Sequence, residues 1–88
     1  MEDKYTDVII DERSKYRIFN ENVDVRELLW HQDEKDRKVI VFGGEGWKIQ
    51  FDNELPIELK EGDEIIIKNH IYHRVIKGKK DLVIKIIE

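Results

Sequence analysis

The feature that most constrains the fold is a two-residue alternation of apolar and polar side chains along much of the chain. This alternation is typical of a β-strand with one buried face. It is clearest in three sets of same-parity residues: Trp47, Ile49 and Phe51; Ile57 and Leu59; and Leu82, Ile84 and Ile86. We expect further strands near residues 6–10 and 16–20. Two uninterrupted apolar runs, 39–42 and 65–67, are interpreted as strands buried on both faces.

Turn-forming residues separate these segments and indicate how the strands are connected. The predicted turns lie at Gly43-Gly44, at Asp52-Asn53, and in the segments 61–63 and 77–79, the last as a hairpin. The one stretch with a helical pattern, 25–31, begins with a β-branched residue, which favours extended structure. Roughly eight or nine short strands at this spacing predict a barrel or sandwich. No linker or boundary interrupts the chain, so we expect one domain over residues 1–88.

Composition and charge exclude several classes of protein. The net charge is −4, and acids and bases are interleaved along the chain, which argues against a nucleic-acid-binding surface. The chain has no cysteine, so disulfides and thiolate metal sites are excluded. No apolar run approaches the length of a membrane span, and the first residues do not resemble a signal peptide. We therefore expect a cytoplasmic protein with no membrane partner.

Two segments carry residues at spacings that resemble the two sequence motifs of cupins. The first contains His31, Asp33, Arg37 and Gly44, and the second contains Gly62 and His73. Both glycines and both histidines match the cupin pattern, whereas Asp33 replaces a histidine and Arg37 replaces a glutamate. In the second motif Lys68, His70 and Lys77 replace a proline, a glycine and an asparagine. The resemblance covers residues 28–87. It implies an all-β, single-domain cupin, a jelly-roll β-barrel of the RmlC-like type, and it implies a fold more strongly than an activity.

The resemblance also implies a site inside the mouth of the barrel. His31, Asp33 and His73 would supply two imidazoles and one carboxylate, a set that suits Zn, Mn, Fe or Ni. Arg37 opposes this interpretation, because a guanidinium cannot bind a metal and repels a nearby cation. If Arg37 points inward, it would pair with Asp33 or receive an anionic ligand. The alternative for His73 is an interior histidine that only bonds a neighbouring side chain.

These observations leave three functions open, and they do not decide whether the chain is an enzyme. The favoured hypothesis is a protein that binds a small anionic ligand in the barrel mouth through Arg37, His73 and Trp47. Trp47 also shares a face with Ile49 and Phe51, and its alternative role is an ordinary core residue. The alternative is a metal-dependent isomerase, dioxygenase or decarboxylase that uses His31, Asp33 and His73. The third is an oligomerisation module. The small size of the chain makes shared burial useful, and we expect a homodimer.

Overall fold

The computed structural model describes residues 4–88 and confirms an all-β chain. Within this range there are eight strands and one short 3₁₀ helix. The strands are β1 (Tyr5–Ile9), β2 (Ser14–Phe19), β3 (Arg37–Glu45), β4 (Lys48–Phe51), β5 (Ile57–Glu58), β6 (Glu64–Ile67), β7 (His73–Ile76) and β8 (Lys79–Ile87). The 3₁₀ helix, Val25–Glu27, lies between β2 and β3.

The strands form two antiparallel sheets that enclose the core. The larger sheet has the order β1-β2-β8-β3-β6, and the smaller has the order β5-β4-β7. In the larger sheet Val41 lies opposite Ile84. Both side chains are buried together with Ile49 of the smaller sheet, so the core lies between the two sheets. Two sheets packed in this way agree with the barrel or sandwich that the alternation predicts and with the jelly roll that the resemblance to cupins implies.

The prediction that two apolar runs are buried on both faces is wrong. Phe42 is 46% exposed and Ile66 is 55% exposed, whereas Val39, Val41 and Ile67 are buried. The physical reason is the period of a strand: successive side chains point to opposite faces, and only one face of the five-stranded sheet covers the core. Apolar side chains therefore remain on the outer face of this sheet.

Two of the predicted turns have a different role in the structure. Gly43 and Gly44 lie inside β3, where the pairing with β8 shifts register on both sides of Gly43, so this segment is a bulge. The predicted hairpin at 77–79 joins β7 to β8, which belong to different sheets, so the chain crosses between sheets there. A Cβ on Gly78 would overlap the carbonyl oxygen of Glu45 and the nitrogen of Trp47, so this crossing depends on glycine.

The segment 25–31 also differs from the extended structure that we expected. Residues Val25–Glu27 form a 3₁₀ turn, and the side chain of Asp24 caps it by accepting a hydrogen bond from the Arg26 N–H at 2.9 Å. Capping by an aspartate satisfies a helix-start N–H that otherwise lacks a partner, and this favours the turn over a strand. Across residues 4–88, no helix is long and apolar enough to cross a membrane.

Candidate metal and ligand site

Two histidines from distant parts of the sequence lie directly opposite each other. The His31 N–H donates to the His73 carbonyl at 2.9 Å, and the His73 N–H donates to the His31 carbonyl at 2.9 Å. Residues paired in this way across antiparallel strands project their side chains to the same face. The two imidazole rings accordingly lie 4.3 Å apart between centroids. The fold therefore brings together the two histidines that the spacing predicted.

Both imidazoles are oriented by main-chain carbonyls. Nδ1 of His31 lies 3.0 Å from the Leu29 oxygen, and Nδ1 of His73 lies 2.8 Å from the Ile71 oxygen. A carbonyl oxygen only accepts hydrogen bonds, so Nδ1 carries the proton in each ring. In a neutral ring Nε2 then keeps its lone pair. This is the arrangement in which metal-binding histidines are held, with one nitrogen bonded to the protein and the other free.

Asp33 completes a group of three possible ligands. One ligand atom from each of His31, Asp33 and His73 lies within 4.8 Å of the others. Oδ2 of Asp33 lies 3.4 Å from Nε2 of His73, and it is buried without a hydrogen-bond partner within residues 4–88. Two acceptor atoms, Oδ2 of Asp33 and Nε2 of a neutral His73, therefore face each other.

Whether Nε2 of His73 and Oδ2 of Asp33 need a cation between them depends on the charge of His73. Burial, which leaves His73 only 3% exposed, is the largest influence and lowers the pKa of its imidazole, whereas the bond to the Ile71 carbonyl acts in the opposite direction. A neutral His73 has no proton on Nε2 to give to Asp33. A metal cation would satisfy both acceptors, so these residues fit a metal ion and can hold one.

Arg37 points inward and contacts the same carboxylate. Its Nη1 lies 3.3 Å from Oδ1 of Asp33, and its Nε lies 3.7 Å from Oε2 of Glu88. This confirms the expectation that an inward Arg37 pairs with Asp33. The guanidinium takes the Oδ1 side of the carboxylate and leaves Oδ2 for the histidines. Its charge weakens cation binding nearby but attracts an anion.

The loop that carries Asp33 is held against the connection between β6 and β7. The His70 N–H donates to the Asp33 carbonyl at 2.7 Å, and the Asn69 N–H donates to the Asp36 carboxylate at 2.8 Å. His70 has a φ of 62°, a left-handed conformation that glycine adopts most easily. It occupies the position of a glycine in the cupin motif. Its side chain is exposed and lies outside the metal-binding group.

A cavity of about 180 Å³ opens beside this group. His31, Asp33, Arg37 and His73 contribute to its lining, and apolar side chains from both sheets form most of the remainder. The volume lies below the roughly 300–1,000 Å³ of pockets that bind drug-sized molecules. A ligand in this cavity must therefore be small.

Trp47, which we expected to contact a ligand, lies in the core instead. Its side chain is 0% exposed, and it does not line the cavity. The indole N–H donates to the main-chain oxygens of Lys79 and Lys80, at 3.1 and 2.9 Å. These bonds satisfy its one polar atom inside the protein, which is what a buried tryptophan requires. Trp47 therefore fixes the start of β8 against the core.

The sequence interpretation did not identify Arg17 as a residue of the site. Arg17 lines the cavity and is only 9% exposed. It shares strand parity with the buried Phe19 but also with Lys15, whereas the other face of β2 carries Tyr16 and Ile18, so alternation did not indicate that Arg17 points inward. The sequence therefore carries no signal that assigns Arg17 to the site.

Comparisons with known proteins establish the fold. A scan against protein-family models finds no match, and a search of curated proteins finds none either. Among solved structures, an RmlC-like cupin family protein with a double-stranded β-helix fold from Methanocaldococcus jannaschii is 14% identical to this chain, with a TM-score of 0.70, and the match covers 100% of this chain and 90% of that one. This chain has the cupin fold. A cupin-2 domain containing protein from Shewanella frigidimarina NCIMB 400 is 21% identical, with a TM-score of 0.67 and coverages of 96% and 78%.

A third cupin match concerns a protein that holds a metal. The structure of Fe(II) HppE in complex with substrate is 12% identical to this chain, with a TM-score of 0.67. The match covers 96% of this chain and 52% of that protein, so this chain spans about half of it. At these identities the likeness establishes the cupin fold alone, since one fold serves many functions.

Proposed function

We propose that this cupin barrel binds a divalent transition metal ion through His31, Asp33 and His73, and that it holds a small anionic ligand beside the ion. The observation that carries the proposal is the buried Oδ2 of Asp33, which has no hydrogen-bond partner among residues 4–88 and lies 3.4 Å from Nε2 of His73. Leaving a buried carboxylate oxygen without a hydrogen-bond partner is unfavourable, whereas metal coordination satisfies it.

The chemistry of the three side chains suits this role. Two imidazoles and one carboxylate are acceptable ligands for Zn, Mn, Fe or Ni, and three protein ligands leave positions for water or a ligand. When bound, the ion would polarise an oxygen of the ligand. The carbonyls of Leu29 and Ile71 hold the two imidazoles in the tautomer that binding requires. The substrate-bound Fe(II) structure with the same fold supports the choice of a transition metal.

The ligand chemistry follows from the charges around the cavity. Its lining includes three cationic side chains, Lys4, Arg17 and Arg37, and two carboxylates, Glu27 and Asp33. Asp7 and Glu88 pair with the two arginines but do not line the cavity. Adding a divalent ion makes the site more positive, which favours an anion. The apolar walls exclude water, and this strengthens the attraction. A metal-dependent isomerase, dioxygenase or decarboxylase reaction would take place at the positions that the protein leaves open on the ion.

The experiment that tests the proposal measures metal affinity in matched variants. Chelator-treated protein is titrated with Zn²⁺, Mn²⁺, Fe²⁺ and Ni²⁺ by calorimetry, and the bound metal is quantified by elemental analysis. Asp33→Asn and His73→Gln should each weaken binding by at least about tenfold. His70→Asn is the control: it changes the exposed histidine, and asparagine tolerates the left-handed conformation, so metal affinity should not change. If wild-type protein retains no metal after reconstitution, the proposal is wrong.

The inward position of Arg37 favours a second candidate, an anion-binding cupin that needs no metal. Arg37 already pairs with Asp33 at 3.3 Å, and a small anion would add to this network. The two candidates differ in chelator-treated protein. If the anion-binding candidate is right, chelator-treated protein binds inorganic phosphate or malonate with full affinity, and Arg37→Gln abolishes the binding. If the metal-binding candidate is right, the anion affinity rises when Zn²⁺ is added.

A further inference from the structure

Arg17 forms part of the cavity wall at the centre of β2. It is 9% exposed and lines the same cavity as His31, Asp33 and His73. Strand β2 pairs with β1 on one side and with β8 on the other, so the main chain at Arg17 is fixed. A buried guanidinium is costly unless its charge and its N–H groups find partners. The partners of Arg17 therefore show what the side chain does.

Two neighbours on β1 fix the plane of this guanidinium. Asp7 lies directly opposite Arg17 in the sheet and accepts two hydrogen bonds, from Nε at 2.8 Å and from Nη2 at 3.0 Å. The ring of Tyr5 lies 3.7 Å from Cζ of Arg17, so it stacks on one face of the group. A bidentate bond and a stacked ring leave the side chain little freedom. The group is therefore oriented before any ligand arrives.

The bond to Asp7 uses only one edge of the guanidinium. Arginine carries five N–H donors in a fixed fork, and Asp7 takes the edge formed by Nε and Nη2. Within residues 4–88 the Arg17 side chain donates no other hydrogen bond, and its Nη1 is not among the buried atoms that lack a partner. Within these residues the edge formed by Nη1 and Nη2 therefore retains unpaired donors on a side chain that lines the cavity.

We infer that Arg17 is a second anion-binding residue of the cavity, whose free edge receives a carboxylate or phosphate group of the ligand. The other polar end of that ligand then lies at His31, Asp33 and His73. The ligand class is a small anion with a polar group at each end, such as a short dicarboxylate or a phosphorylated small molecule. This inference rests on the anion-binding part of the proposed function, and it adds the residue that selects the ligand.

The test compares anion affinity across charge-matched variants. Malonate, succinate and inorganic phosphate are titrated by calorimetry into chelator-treated and Zn²⁺-loaded protein, and the probes distinguish a carboxylate from a phosphate ligand. Arg17→Gln should weaken binding of the preferred anion by at least about tenfold, and Arg17→Lys, which keeps the charge but loses the fork, should restore part of it. Arg13→Gln, an exposed arginine with the same charge change, should bind as wild type does.

The Asp7→Asn variant distinguishes anion binding by Arg17 from a purely structural role of this residue. This variant breaks the ion pair and lowers stability, but the guanidinium keeps its charge and its stacking on Tyr5, so anion affinity should stay well above that of Arg17→Gln. Equal anion affinity in wild type and Arg17→Gln overturns the inference and leaves the proposed function standing. Loss of affinity in Asp7→Asn to the same extent as in Arg17→Gln also overturns it. If wild type binds no anion in either metal state, the anion-binding part of the proposed function fails, and the inference fails with it.

Discussion

Nη1 of Arg37 lies 3.3 Å from Oδ1 of Asp33, four residues earlier in the chain. The pair sets the orientation of the carboxylate, since one oxygen faces the guanidinium and the other faces His73. Arg37 stands where the cupin motif has a carboxylate, and it affects the site by pairing with Asp33. The substitution therefore changes the electrostatics of the site without removing its three possible metal ligands.

Metal binding should stabilise the folded protein. A ligand that binds only the folded state at 100 times its dissociation constant adds about 2.7 kcal/mol to the free energy of unfolding. For a domain of this size, that raises Tm by roughly 10–20 °C. Differential scanning calorimetry with and without Zn²⁺ measures the shift. Asp33→Asn should lose most of it, and an equal shift in this variant would show that the ion binds elsewhere.

Replacing Gly78 with alanine should be strongly destabilising. The added Cβ would overlap the Glu45 carbonyl oxygen and the Trp47 nitrogen, which belong to a rigid main chain. We expect Gly78→Ala to lower the free energy of unfolding by about 3 kcal/mol. Gly43→Ala is the control, because a Cβ there meets nothing within 4 Å, and its effect should stay within about 1 kcal/mol. Urea unfolding measures both, and equal effects would contradict the proposed close approach.

Protonation of Asp7 should lower the free energy of unfolding in acid. The hydrogen bonds from Arg17 lower the pKa of the Asp7 carboxyl below its ordinary value. Because the folded-state pKa is depressed, this contribution is fully present above the ordinary carboxyl pKa of about 3.9 and is lost as the pH falls through the folded-state value. Urea unfolding between about pH 5 and pH 2 measures the slope. Asp7→Asn should flatten it, whereas Asp52→Asn, at an exposed turn residue, should not.

The expected homodimer stays a prediction. Val8, Phe42 and Ile66 are exposed apolar side chains, and covering such surface is favourable. Light scattering at tens of micromolar protein should give twice the 10.6 kDa mass of the chain. A single species at the mass of the monomer would contradict the prediction.

Alternation predicted a barrel or sandwich, and the resemblance to cupins implied the cupin fold and the three possible metal ligands. Both predictions depend on regular spacing: alternation identifies strands, and the resemblance to cupins places His31 and His73 in one site. What could not be predicted is the packing of single side chains. Trp47 shows this, since its strand pattern suited either a core or a cavity wall, and the hydrogen bonds of its indole N–H decided between them.

Local backbone chemistry was the second source of error. Gly43-Gly44 resembles a turn, but the pairing of β3 with β8 absorbs both glycines as a bulge, which only the partner strand reveals. The 3₁₀ turn at Val25–Glu27 depends on the Asp24 cap rather than on side-chain periodicity. Arg17 lies outside both cupin motifs, so no spacing argument could indicate its role.

The pairing of His31 with His73 has a consequence for protein design. Two main-chain hydrogen bonds hold these positions opposite each other, so the separation of their Cα atoms does not depend on which side chains they carry. Exchanging either imidazole for a thiolate, as in His31→Cys, would present a softer donor on the same face of the barrel, closer to the main chain. Since soft donors select other metals, the barrel offers a scaffold on which metal preference can be redesigned while its main chain stays unchanged.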